Sequence, residues 1–100
     1  MDAVSEIKGM WDEWKTIPFP SAYAGQEVAG ICVTLLDSYA AGCIHTFILN
    51  KGRLDDWRVS VLKNCKQELE VVVLNLDGGA RAYFKNLLMM AERVLQMAGA

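Results

Sequence analysis

Apolar residues recur at helical spacing from the start of the chain. In the first segment they fall at steps of three, four and three, at Val4, Ile7, Trp11 and Trp14. This spacing gathers them on one side of a helix. Pro18 and Pro20 favour an extended backbone and remove a helical donor. We therefore predict a short amphipathic helix over 3–16, packed on the rest of the chain by its two tryptophans, and a joint at 17–20.

The second segment is the most apolar part of the chain. Residues 28–49 contain a single formally charged side chain, that of Asp37. Ser21 is a candidate N-cap, so the predicted helix begins between 21 and 26. The run Asn-Lys-Gly at 50–52 offers two residues that tolerate the left-handed conformation closing many helices.

Two further helical seams follow. The third segment, from Leu54, has apolar residues at Leu62, Cys65, Leu69, Val72 and Leu76. Its stretch 70–76 is also rich in β-branched residues, which leaves a strand open as the alternative. After Asp-Gly-Gly at 77–79, where Gly78 suits the turn, the fourth segment repeats every three or four residues at Ala80, Phe84, Leu87, Ala91, Val94 and Ala98.

Together these seams predict an all-α fold in one domain over 1–100. Short connections make neighbouring helices antiparallel, so we expect an up-and-down bundle of three long helices, each about 20–28 residues, plus the short N-terminal helix. The alternative is an α/β fold with strands near 28–49 and 70–76.

The polar residues of the second helix share one side. At about 100° per residue, an arc of roughly a third of the helix circumference collects Gln26, Glu27, Gly30, Thr34, Asp37, Ser38, Ala41 and His45. A lipid-facing helix has no reason to align polar groups, so we predict a bundle helix with Asp37 at its water-facing edge. A membrane-associated helix is the alternative. If the stripe is covered, an arginine should pair with Asp37.

Several residues of this stripe are small, which would let a second helix approach closely. We therefore predict a self-associating interaction module whose partner is a second copy or another helical protein, with an interface formed by Gly30, Thr34, Asp37, Ser38, Ala41 and His45. An ordinary solvent-facing edge is the simpler interpretation. A second function class is a bundle that binds an apolar or aromatic ligand between helices, in a pocket lined by Tyr39, Phe47, Trp57 and Phe84.

The composition and the residue spacing argue against several other classes of function. The net charge of −2 without a basic run argues against nucleic acid as a partner. A helix separates Cys32 from Cys43 by about 16 Å, too far for a disulfide, so reduced thiols and a cytoplasmic location are expected. Cys43 and His45 point to different faces, and the chain has no phosphate-binding or nucleophile motif. We expect no metal, no cofactor and no catalysis.

Overall fold

The computed structural model describes residues 2–98, which form a bundle of four α-helices. The helices are α1 (Ala3–Trp14), α2 (Val33–Leu49), α3 (Asp56–Leu74) and α4 (Gly78–Met97). The helix α3 packs as the antiparallel neighbour of both α2 and α4, α2 also contacts α4, and α1 lies against α2 and α4. The predicted all-α bundle is confirmed. The α/β alternative is wrong, because residues 70–74 continue α3 and the only strands in residues 2–98 are two residues long.

Backbone hydrogen bonds terminate α2 at its C-terminal end. The N–H of Gly52 donates to the carbonyl of Phe47 at 2.9 Å, and the N–H of Lys51 donates to the carbonyl of Ile48 at 3.1 Å. These two bonds form a Schellman motif. The left-handed residues are Lys51 at φ 56° and Gly52 at φ 94°, whereas Asn50 has φ −92°. The sequence therefore identified the correct turn.

The prediction that the second helix begins between 21 and 26 is wrong, because a small hairpin precedes α2. Strands β1 (Glu27–Val28) and β2 (Ile31–Cys32) pair antiparallel. They are joined by Ala29 at φ 51° and Gly30 at φ 81°. Two successive residues with positive φ form the turn that suits a two-residue hairpin, and they cannot continue a right-handed helix. The helix therefore starts only at Val33.

The residues before this hairpin do not form the predicted first turn of the second helix either. Ser21 begins a single 3₁₀ turn, Ser21–Tyr23, rather than capping α2. With the later start, α2 has 17 residues, while α3 and α4 have 19 and 20. Within residues 2–98, no helix combines the length and apolar content needed to cross a bilayer.

The buried side chains of all four helices form one cluster. The predicted seam is buried in full, at Leu62, Cys65, Leu69 and Val72 in α3 and at Leu76 two residues beyond its end. In α4 the middle of the seam is buried, while Ala80 and Ala98 are half-buried at its ends. From α1, Ile7 and Trp14 enter the core. Helical periodicity therefore predicted these core faces correctly.

Candidate interaction surface

The polar stripe predicted on α2 is partly covered by the same chain. At its centre, the Tyr83 hydroxyl of α4 donates to Asp37 Oδ1 at 2.7 Å. Asp37 is half-buried. Burial raises the pKa of its carboxyl above the ordinary 3.8, and the bond from Tyr83 partly opposes that rise. Asp37 therefore lies at a half-exposed edge of α2, where its partner within the chain is a tyrosine rather than an arginine.

Tyr83 is held in place by aromatic neighbours. The indole Nε1 of Trp14 donates to the backbone carbonyl of Tyr83 at 3.2 Å, and the two rings lie 4.9 Å apart. Phe19 and Phe84 pack edge-on against the Tyr83 ring at 5.7 and 5.1 Å. Burial, together with the bond to Asp37, raises the pKa of the Tyr83 hydroxyl. This cluster fixes α1 and the proline-containing connection against α4.

The N-terminal end of the stripe is used by the hairpin. Gly30 lies in the turn between β1 and β2, before α2 begins, so it does not share a helix face with the other five residues. Thr34 Oγ1 accepts a hydrogen bond from the N–H of Gly25 at 2.9 Å, which ties the preceding loop to the first turn of α2.

The C-terminal part of the stripe is in contact with α1. The ring of His45 stacks on Trp11, with centroids 5.2 Å apart and planes 6° from parallel. Ala41 is half-buried against the core, whereas Ser38 is exposed. The six predicted interface residues therefore do not form one open surface. Of the group, Gly30, Thr34, Ser38 and His45 are exposed, and Asp37 and His45 contact other helices.

A different side of α2 faces outward. Leu35, Tyr39 and Leu49 are exposed by 53%, 58% and 67%. They fall with Gly42 in an arc of about 80° that lies outside the buried side of the helix. The charged residue of α2, Asp37, is turned away toward Tyr83. The outward side of α2 is thus an uncharged surface with three large, mostly exposed side chains.

Exposed apolar side chains are also present on the neighbouring helix α3. Trp57, Val71 and Leu74 are exposed by 70%, 41% and 79%. Between the two helices runs an open groove of about 430 Å³, lined by Tyr39, Val61, Asn64, Cys65, Gln67 and Glu68. We call the six exposed apolar residues the outer face of α2 and α3: Leu35, Tyr39, Leu49, Trp57, Val71 and Leu74.

The structure does not bring together the four residues of the predicted ligand pocket. Phe47 and Phe84 are fully buried in the core. Tyr39 and Trp57 are more than half exposed on the outer face of α2 and α3. The difference arises because the helical seams place the two phenylalanines inward and the other two rings outward. No cavity described within residues 2–98 is lined by all four.

The thiols of Cys43 and Cys65 lie in surroundings that favour the protonated form. Cys43 Sγ lies 3.7 Å from the carbonyl of Arg58, to which it can donate, and burial raises the pKa of its thiol. Burial likewise raises the pKa of the Cys65 thiol to about 11. A thiol must ionise to act as a nucleophile or metal ligand. In the part of the chain that the structure describes, no three His, Cys, Asp or Glu side chains group as a metal site.

Comparison with known proteins adds no relative: no family model matches the chain, and no match is found among curated proteins or solved structures. Sequence reasoning missed Leu35, Gly42 and Leu49 because it assigned the whole apolar side of the second helix to the core. Their common spacing of seven residues is the signal that could have identified them.

Proposed function

We propose that this protein is a small helical interaction module that self-associates through the outer face of α2 and α3. The observation that carries the proposal is the exposure of six large apolar side chains on two neighbouring helices. Large exposed apolar side chains concentrated on one side of a protein typically mark a protein interface. Trp and Tyr, both present here, are frequent anchors of such interfaces.

The proposed interface differs from the one expected from the sequence. Asp37 and His45 already contact Tyr83 and Trp11 within the chain, so a partner would have to displace those contacts. The neighbouring outward side of α2 requires no such rearrangement. Interfaces between preformed surfaces generally need little backbone movement. The proposed interface therefore lies part of a helix turn away from the polar stripe of α2, and the proposed function is still self-association.

A non-catalytic role in the cytoplasm is part of the proposal. Two of the three cysteines, Cys43 and Cys65, are buried with pKa values raised by burial, which disfavours thiolate chemistry. Three free thiols suit a reducing compartment. The proposed partner is a protein surface, either a second copy or another helical protein, and the equal spacing of Leu35 and Leu49 about Gly42 favours a second copy.

Sedimentation velocity over a concentration range tests the proposal. We expect a concentration-dependent shift from the 11.1 kDa chain toward twice that mass. Leu35→Ser should weaken association, because about half of a leucine side chain, worth about 1 kcal/mol, loses its apolar contact. A symmetric dimer contains the change twice, so the total of about 2 kcal/mol corresponds to a dissociation constant roughly 30-fold higher.

Met89→Ser is the matched control. Met89 is also a partly exposed apolar residue, at 44%, but it lies on α4 away from the outer face of α2 and α3. The control should associate like the unchanged chain. A chain that stays monomeric at several hundred micromolar would contradict self-association, and equal effects of the two substitutions would contradict the location of the interface.

A further inference from the structure

We infer that two copies pair through α2, antiparallel, around a two-fold axis that passes beside Gly42. This inference rests on the proposed self-association and adds the identity and orientation of the partner. Leu35 and Leu49 lie seven residues before and after Gly42. Antiparallel pairing about that midpoint places Leu35 of each copy against Leu49 of the other, as a self-complementary two-fold contact requires. The seam is about 21 Å long.

Gly42 has no structural role inside its own chain that would require glycine. It lies in the interior of α2, where a side chain would improve helix stability. An added Cβ would meet nothing within 4 Å. The position is exposed and lies between the two exposed leucines. A glycine at the crossing point of two helices allows their backbones to approach closely, which gives this residue a function in the dimer.

The polar groups of the seam are also compatible with a second copy. Ser38 and Thr46 lie four residues before and after Gly42, so pairing places each against the other. The Thr46 hydroxyl donates to the carbonyl of Gly42 at 2.9 Å, which leaves its oxygen able to accept from a serine. The charged Asp37 faces Tyr83, away from this seam. Two copies therefore meet without like-charge repulsion.

One exposed residue of α3 fits the same symmetry. Trp57 opens α3 close to the Leu49 end of α2, and Leu74 ends α3 close to the Leu35 end, because α2 and α3 are antiparallel. Antiparallel pairing of two α2 helices then brings the Trp57 end of one copy toward the Leu74 end of the other. Trp57 therefore lies near the end of the seam, whereas Leu74 points about 100° away from Trp57 around α3 and is not part of this contact.

Disulfide trapping tests the axis. The experiment uses the full chain with C32S, C43A and C65A replacements, with helical content checked by circular dichroism. Gly42→Cys places the same thiol on both sides of the axis, where Cβ atoms about 4 Å apart can form a disulfide. Under mild oxidation we expect most of this variant to become covalent dimer. Asn64→Cys is the control, because it would be trapped only if two α3 helices paired about Asn64.

Mixed variants test the orientation. Leu35→Cys and Leu49→Cys chains, one carrying a mass tag, should form mixed disulfide dimers when combined and far fewer when oxidised separately. Trapping of Leu35→Cys with itself would indicate parallel helices and overturn the inference. Efficient trapping of Asn64→Cys in place of Gly42→Cys would overturn it as well. In both cases self-association itself would stand, whereas a purely monomeric parent chain would refute both proposals.

Gly42→Ala provides a test without cysteine. In dilute solution, where the chain is monomeric, the substitution should raise the melting temperature by about 2–8 °C. At high concentration it should weaken association at least tenfold, because the added methyl groups separate the crossing helices. Gly9→Ala is the control in α1, where an added Cβ also meets nothing within 4 Å. It should stabilise the chain without changing association; a Gly42→Ala chain that dimerises normally would overturn the inference.

Discussion

Replacing Tyr83 with phenylalanine isolates a single hydrogen bond between α2 and α4. The hydroxyl donates to Asp37 Oδ1 at 2.7 Å, while the ring packs on Trp14, Phe19 and Phe84. The substitution removes the hydroxyl and keeps the ring. A hydrogen bond to a charged group contributes about 1.5–3 kcal/mol. Because Asp37 is half-buried and water can partly replace the donor, we expect a loss of about 1–2 kcal/mol at pH 7.

The size of this loss should depend on pH. Burial holds the pKa of Asp37 above 3.8, the ordinary value, so the folded chain binds the proton more tightly than the unfolded chain. The contribution of Asp37 to stability is therefore largest below the unfolded pKa and is lost as the pH rises through the folded pKa. The Tyr83 bond reduces that loss by stabilising the carboxylate. Tyr83→Phe should accordingly cost most at pH 7 and less near pH 4, where the carboxyl is increasingly protonated.

Urea denaturation at pH 4, 5.5 and 7 measures the effect as a difference between the variant and the unchanged chain. Carboxylates such as Asp2, Asp12 and Asp55 have lowered pKa values, so their contribution to the stability of the fold is lost as the pH falls. This contribution is the same in both proteins and cancels in the difference between them. At pH 7 the melting temperature should fall by about 4–16 °C. Tyr39→Phe, which removes an exposed hydroxyl, is the control. A cost that is absent at pH 7, or that grows toward pH 4, would refute the reasoning.

Three further substitutions test the packing. Asp37→Asn should leave stability at pH 7 equal or higher, because the amide oxygen still accepts a hydrogen bond and carries no charge to desolvate; a loss above about 1 kcal/mol would contradict this. Phe84→Ala should cost about 3–5 kcal/mol, whereas Trp57→Ala should cost under about 0.5, since only Phe84 is buried. Gly52→Ala should lose at least about 2 kcal/mol, because a Cβ there would lie 2.9 Å from Val4 Cγ2 in a left-handed conformation. Urea denaturation measures each, and similar losses for Phe84→Ala and Trp57→Ala would show that the core is misassigned.

The sequence by itself determined the class of fold and most of the core. Steps of three and four residues are a local property of the helix, so they identified the buried sides of α3 and α4 without knowledge of the neighbours. Residues with special backbone preferences marked the breaks between helices, as Gly52 and Gly78 show with their positive φ. These signals depend on a few adjacent residues, which is why sequence reasoning reads them reliably.

The start of α2 was not determined by the same signals. Gly25 and Gly30 both have positive φ, and the turn at Ala29 and Gly30 lacks the Asn-Gly or Asp-Gly pair that usually marks a two-residue hairpin. An apolar run with weak turn residues is compatible with either helix or strand. The hairpin is fixed by pairing of β1 with β2 and by the bond from Gly25 to Thr34, and neither contact is visible in local periodicity.

Only the tertiary structure decided which side of α2 faces water. The helix is apolar around most of its circumference, so its pattern cannot rank one apolar side above another. The position of α4 places Tyr83 over Asp37, and the position of α1 places Trp11 over His45. Those contacts half-bury Asp37 while Thr34, Ser38 and His45 stay exposed, and Leu35 and Leu49 face outward beside them. Burial depends on where other helices lie, and that information belongs to the whole fold rather than to any one segment.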